Sequence, residues 1–189
     1  MSAAVRHTRD VILLSGGLDS ACLLHEAHCL PAPAEALFID YGQAAAARER
    51  EASQALAQAT HAQWREIRVQ ADQVFTGEII GRNAFLVHAA LLALQPAQPL
   101  CLYLGIHSGT GYRDCTPEFV SLIQESLDFH TGGQVRLVAP FLNWVKGTVF
   151  DRALELAVPL HLTYSCERSP TPCRSCRSCL DRETLLARP

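Results

Sequence analysis

Ser15-Gly-Gly-Leu-Asp-Ser20 is the first segment of this chain whose residue types can do chemistry. Gly16 and Gly17 let a backbone turn tightly and come close to a ligand. The hydroxyls of Ser15 and Ser20 can donate to phosphate oxygens. Helical spacing follows at Ala21, Leu23, Leu24 and Ala27, so the loop opens a helix. The unpaired N–H groups and positive dipole end of that helix attract anions. Asp19 is ill placed beside bare phosphates but suits a Mg2+ ion that neutralises them. The alternative is a glycine-rich turn that holds no ligand. Neither G-x-x-x-x-G-K-[ST] nor G-x-G-x-x-G after a strand occurs, so the two familiar nucleotide loops are absent.

The second chemical cluster is Cys166, Cys173, Cys176 and Cys179, four thiols within fourteen residues. Cys22, Cys29, Cys101 and Cys115 are scattered by comparison. No export signal precedes the first strand, so a disulfide framework is not expected and the cluster reads as metal ligation. Four thiolates make a closed tetrahedral zinc site with no open position for catalysis. An iron–sulfur cluster is the rival, and four metal-free thiols are the plain alternative. Arg168, Arg174, Arg177 and Arg182 lie close in sequence and would offset the net negative charge of such a site. The metal is expected to clamp the tail onto the sheet edge.

Something must position these groups. Asp10–Leu14, Glu35–Tyr41, Trp64–Val69, Leu100–Ile106 and Gln134–Val138 read as strands. Helical stretches follow them at 21–27, 43–58, 83–94, 118–130 and 147–157. Arg48, Glu49, Arg50 and Glu51 are assigned to the solvated side of the second helix. Thr116-Pro117 opens the fourth, and Pro159 closes the fifth. The long loops are 72–82 and 107–116, and beyond Leu162 the periodicity fails. Alternation of strand and helix predicts an α/β fold, a doubly wound, mostly parallel sheet with helices on both faces. Residues 1–162 form the main domain and 163–189 a small tail packed on it. Ligands of such sheets bind at the carboxyl ends of the strands, so the loops there carry the function.

Composition narrows the classes. The chain has 189 residues, 49% hydrophobic, and a formal charge of −3. Such a chain buries a proper core and lacks the basic field that long nucleic acid requires. The longest apolar run, Ala84–Leu94, carries His88 and is shorter than the ~20 residues a membrane-spanning helix needs. A cytoplasmic protein is expected.

The first loop resembles the S-G-G-x-D-S signature of the PP-loop ATP pyrophosphatases, which have an adenine nucleotide alpha hydrolase-like fold. Together with the cysteine tail it resembles the 7-cyano-7-deazaguanine synthase (QueC) family, and the likeness runs through most of the chain. Asp40-Tyr-Gly-Gln43 is similar to the family segment after the second strand, and Gly81-Arg-Asn83 to its G-R-N motif. Gly105, Gly111-Tyr-Arg-Asp-Cys115 and Pro117-Glu-Phe119 resemble its G-Y-P-D-C-R-x-x-F stretch. Pro140 to Lys146 resembles P-L-x-x-x-x-K, with Phe141 for Leu. Thr163-Tyr-Ser-Cys166, Cys173-Arg-Ser-Cys-Arg-Ser-Cys179 and Arg182 resemble its zinc tail.

The resemblance implies ATP held by Ser15, Gly16, Gly17, Leu18, Asp19 and Ser20, with Phe38 and Tyr41 beside the nucleotide. It implies a deazaguanine acid contacted by Gln43, Arg82, Asn83, Gly105, Tyr112 and Asp114, where Asp114 receives ring N–H donors. Lys146, Asp19 and Ser20 carry the catalysis, with Lys146 at the α-phosphate. Mg2+ accompanies ATP, and a structural zinc ion sits on Cys166, Cys173, Cys176 and Cys179. Family members adenylate the carboxylate of 7-carboxy-7-deazaguanine, release pyrophosphate, form an amide with ammonia and dehydrate it to the nitrile. The family also implies a homodimer. Outside that set, Asn83 is alternatively a helix N-cap, Asp114 a loop cap and Lys146 a solvated surface lysine. Cys115 is better placed as a small core residue than at the substrate, and His107 is either a base or a satisfied loop histidine.

Three features depart from the family. Ala44-Ala45-Ala46-Ala47 replaces Arg-His after Gln43, Thr116 replaces an arginine, and Ala71–Ile80 is short. Together they suggest a more open acceptor side, which could admit an amine of a partner protein in place of ammonia. A tRNA-modifying PP-loop enzyme and an inactive nucleotide-binding subunit are the remaining alternatives.

Overall fold

A computed structural model describes residues 8–28, 34–70 and 72–188. Cys29 and the first seven residues, part of the segment read for export signals, lie outside the described residues. Five strands form one sheet: β1 (Arg9–Leu13), β2 (Glu35–Asp40), β3 (Gln63–Arg68), β4 (Leu100–Tyr103) and β5 (Val135–Val138). Their order is β3-β2-β1-β4-β5, and every pairing is parallel.

Helices join successive strands: α1 (Leu18–His28), α2 (Ala46–Ala59), α3 (Arg82–Leu94) and α4 (Pro117–Thr131), with α5 (Lys146–Glu155) after β5. Alternation along β1 divides the core, since successive side chains point to opposite faces. Ile12 and Leu14 pack with α1, α2 and α5 through Leu23, Leu24, Leu56, Val149 and Phe150. Val11 and Leu13 pack with α3 and α4 through Val87, Ile123 and Leu127. The chain changes faces between α2 and α3, so β1 and β4 are neighbours in space and far apart in sequence. Their carboxyl ends therefore mark the switch point, where such sheets open a crevice.

Local signals explain several boundaries. Thr116 caps α4, its Oγ1 accepting from Phe119 N at 3.2 Å, and Pro117 takes the first helical position. Gly81 precedes α3 in the left-handed region at φ 77°, a conformation that glycine adopts without strain. Asn83 is thus not the N-cap of α3. The fourth strand is shorter than the sequence run, because regular strand ends at Tyr103 and Leu104–Ile106 continue as irregular chain.

The tail differs from expectation. Periodicity fails beyond Leu162, yet α6 (Arg177–Leu186) follows the cysteines. Leu185 is buried against the core that holds Leu14 and Phe150, a burial worth about 1.5–3 kcal/mol. Tyr164 N donates to Gly16 O at 2.9 Å. Arg177 donates to Thr110 O and Gly109 O, with its guanidinium over the Tyr112 ring. The tail accordingly sits over the first glycine loop and the 107–112 turn, at the switch point rather than on a sheet edge.

Candidate active site

A cavity opens at the carboxyl ends of β1, β2 and β4, with an accessible volume of about 220 Å³. Ser15, Gly17, Leu18, Asp19 and Ser20 form one side. Gly16 makes the turn at φ 82°, and a Cβ there would stand 2.8 Å from Ala52 Cβ and 2.9 Å from Glu49 O. Ser20 Oγ donates to Gly17 O at 3.1 Å and lies 3.1 Å from Ser15 Oγ, which ties the two hydroxyls together across the loop. Gly105 passes so close that a Cβ would lie 3.2 Å from the backbone of Asp19 and Ser20. Close approach of two backbones thus favours glycine after β4.

Lys146 opens α5 and lines the cavity, so it is not a solvated surface lysine. Its ammonium donates to both Asp19 oxygens, at 2.7 and 2.6 Å. His107 is buried, with Nε2 3.8 Å from Asp19 Oδ2 and Nδ1 without a hydrogen-bond partner among the described residues. Burial pushes its pKa down, against the attraction of Asp19, so the neutral ring is favoured. It is therefore not a satisfied loop histidine.

Tyr41, Gln43, Glu49, Arg82 and Asn83 add further polar lining. Burial raises the Tyr41 phenol to about 12. Burial, the largest effect, leaves the Glu49 carboxyl raised, with the Gln43 hydrogen bond and Arg82 pulling against it. Glu49 is consequently a cavity residue, and its assignment to a solvated helix face does not hold. Arg50 also turns inward to bond Asp40 and Glu66. Phe38 lines the cavity but is 1% exposed and stacked on Trp64.

Two expected substrate residues stand apart. Tyr112 and Asp114 are not among the lining residues. Asp114 accepts from Asn83 N at 3.3 Å, and its carbonyl accepts from Asn83 Nδ2 at 3.0 Å. It ties the start of α3 to the 113–115 turn, the structural alternative for this residue. Cys115 is buried among apolar neighbours.

Sequence reasoning missed the tail's share. Ser165, Glu167, Ser178, Arg182 and Leu185 all line the same cavity. Ser165 and Glu167 reach it on irregular chain, and Ser178, Arg182 and Leu185 on α6, whose polar sequence carries no apolar stripe to announce the helix. The four Sγ atoms of Cys166, Cys173, Cys176 and Cys179 lie within 4.8 Å of one another, and three of these residues are buried. Bonds of about 2.3 Å to one tetrahedral ion separate sulfurs by about 3.8 Å, so the cluster is of single-ion size. Hydrogen bonds from Ser175, first its hydroxyl and then its backbone N–H, and from Cys176 N lower the Cys173 thiol to about 5. Stabilised thiolate at this half-buried member favours a cationic occupant, although burial pushes the neighbouring Cys179 thiol up.

The strand order, the Ser-Gly-Gly-x-Asp-Ser loop at the switch point and the cysteine tail define a PP-loop α/β protein. A family model described as "Queuosine biosynthesis protein QueC" matches residues 9–80 and 63–188. The chain belongs to the QueC family. The 7-cyano-7-deazaguanine synthase of Methanoculleus marisnigri is 31% identical over 90% of this chain and 90% of that protein. The protein of the same name from Synechococcus elongatus is 33% identical over 94% and 90%. In fold, the chain resembles a solved "predicted subunit of tRNA methyltransferase" from Methanocaldococcus jannaschii, with TM-score 0.54 and 14% identity over 79% of this chain and 75% of that one. No helix among the described residues is long and apolar enough to cross a membrane.

Proposed function

We propose that this chain activates the carboxylate of 7-carboxy-7-deazaguanine with ATP and converts it through the amide to 7-cyano-7-deazaguanine. The observation that carries this reading is family membership joined to an anion-ready loop whose Asp19 pairs with Lys146 in the lining of one cavity. A carboxylate is a poor electrophile at neutral pH. Its oxygen attacks the α-phosphorus, the bond to the β-phosphate breaks, and pyrophosphate leaves. Ammonia then attacks the acyl carbon, AMP departs, and the spare proton passes to solvent. In a second round the amide oxygen displaces pyrophosphate from another ATP. Loss of AMP and two N–H protons leaves the nitrile.

The residues supply positioning and charge rather than covalent chemistry. The N–H groups at 16–20 and the hydroxyls of Ser15 and Ser20 hold the departing pyrophosphate. Lys146 neutralises charge at the α-phosphate. Asp19 would hold Mg2+, which offsets phosphate charge when bound; its carboxylate pairs with the Lys146 ammonium at 2.6 Å, a contact Lys146 would give up on turning to the α-phosphate. Tyr41 and Phe38 border the nucleotide, and Arg82 and Asn83 border the acid. The tail carries zinc rather than an iron–sulfur cluster, since sulfurs this close fit one ion better than several metal atoms. Residues 163–189 then form a zinc-bound appendage that completes the pocket.

A second reading replaces ammonia by an amine of a partner protein. The observation that favours it is Ala44–Ala47 in place of cationic side chains near Gln43. Incubation with ATP, Mg2+ and 7-carboxy-7-deazaguanine, with and without ammonia, separates the readings. AMP formation and a nitrile product of matching mass support the first. Acid-dependent AMP formation with a mass increase on an added protein, and no nitrile, supports the second. Absence of acid-dependent AMP formation sinks both, and Ser20→Ala or Asp19→Ala should abolish it.

A further inference from the structure

Glu49 lines the cavity yet has no part in the activation chemistry. It sits in the first turn of α2, and its Oε2 accepts from Gln43 Nε2 at 2.8 Å. Oε1 takes no hydrogen bond from the described residues. Asp19, the carboxylate in the glycine loop, is engaged by Lys146 on both oxygens; Glu167, in the tail, accepts on one oxygen from the rotatable hydroxyl of Ser178 rather than from a buried amide fixed by its other partners. Asp114 lies outside the lining and serves Asn83.

Gln43 explains why Glu49 is held there. Its amide is buried and its orientation is fixed by its partners. Oε1 accepts from Tyr41 N at 2.9 Å, and Nε2 donates to Ile39 O at 3.2 Å and to Glu49. A flipped amide would set two donors against Tyr41 N–H and a carbonyl against both acceptors. All three Gln43 groups are therefore spent on holding the β2 terminus and Glu49, which fixes the Glu49 carboxylate in place with Oε1 open to a ligand. A carboxylate is acceptor-only, and its two oxygens match two parallel N–H donors.

We propose that Glu49 is the specificity-determining residue for the substrate ring. Its carboxylate receives the paired N–H donors of a 2-aminopyrimidin-4-one edge, ring N–H and exocyclic amine, and Gln43 is its positioning residue. This rests on the reading that the substrate is a deazaguanine acid. Oε2 has a second lone pair, so the Gln43 bond persists in the complex. A ring without the exocyclic amine leaves one buried acceptor unsatisfied.

The test is calorimetric binding to the full chain of three ligands: 7-carboxy-7-deazaguanine, its analogue with hydrogen in place of the 2-amino group, and a non-hydrolysable ATP analogue. The wild type should prefer the amino-bearing acid about 10- to 100-fold, the size of a charge-assisted hydrogen bond. Glu49→Gln should reduce that ratio to nearly one, and Gln43→Leu should reduce it in the same direction. Affinity for the ATP analogue should stay unchanged in both. Glu49→Asp retracts the carboxylate by one methylene and is read by the same ratio if the amide variant does not fold. A variant that keeps the full preference, or loses nucleotide and acid affinity together, overturns the role of Glu49 and leaves the substrate reading standing. A wild type that binds nucleotide but neither acid overturns the substrate reading, and the role of Glu49 with it.

Discussion

At the scale of single residues, geometry makes sharp demands. Gly16 lies at φ 82°, with Ala52 Cβ 2.8 Å from where a Cβ would be. Gly16→Ala should destabilise the fold by more than about 1 kcal/mol, and calorimetric melting with a nucleotide titration should show a lower Tm and weaker ATP binding. Lys146→Met keeps the length of the side chain and removes its charge. AMP formation should fall about 10²–10³-fold, the usual cost of losing one donor aimed at developing charge, mostly in kcat. His107 sets a pH dependence. Burial lowers its pKa from the ordinary 6.5, so its stabilising contribution is present above 6.5 and is lost as pH falls through the lower folded value. Melting from pH 7.5 to 5 should show a smaller loss of Tm in His107→Gln than in the wild type; equal losses would contradict the assignment. Ser15–Ser20 were legible because loop chemistry keeps its meaning out of context, whereas Lys146 was pointed to only by the resemblance of Pro140–Lys146 to a family stretch. Glu49 was not legible, because a helical register in an Ala- and charge-rich segment leaves two faces equally plausible. Only its position beside Gly16 and Gln43 selects the inner one.

At the scale of elements, the tail connects the metal cluster to the pocket. Leu185 anchors α6 in the core, and Arg177 fastens it to the 109–110 turn. Metal bound by four thiolates releases protons and contributes its binding energy to folding of the segment. Mercurial titration with a metal-sensitive dye should release one zinc ion per chain. The stripped protein should lose Tm and become cleavable between 163 and 188 while the central sheet persists. Iron with acid-labile sulfide in place of zinc would reverse the choice of metal. Strand and helix positions were readable from apolar spacing, with ends shifted by a few residues. α6 escaped because its burial depends on Leu185 and the cysteines rather than on a periodic apolar face.

At the scale of the whole molecule, both faces of the sheet and the tail meet around one crevice. A ligand that bridges these parts stabilises the native state by mass action. Mg-ATP at a hundred times its Kd should add about 2.7 kcal/mol, which for a chain of this size raises Tm by about 5–10 °C. The shift should be absent in Asp19→Ala. A shift retained in that variant would place the nucleotide elsewhere.

The amino-acid order by itself determined the α/β class, the anion-ready loop after the first strand and the metal-ready thiols, because each depends on neighbours a few residues apart. Tertiary structure decided which acidic side chains face the crevice, that Asp114 braces α3, and that the tail forms a wall of the pocket. Those choices depend on contacts between segments far apart in the chain, such as Tyr164 with Gly16 and Lys146 with Asp19, whose partners local periodicity cannot name.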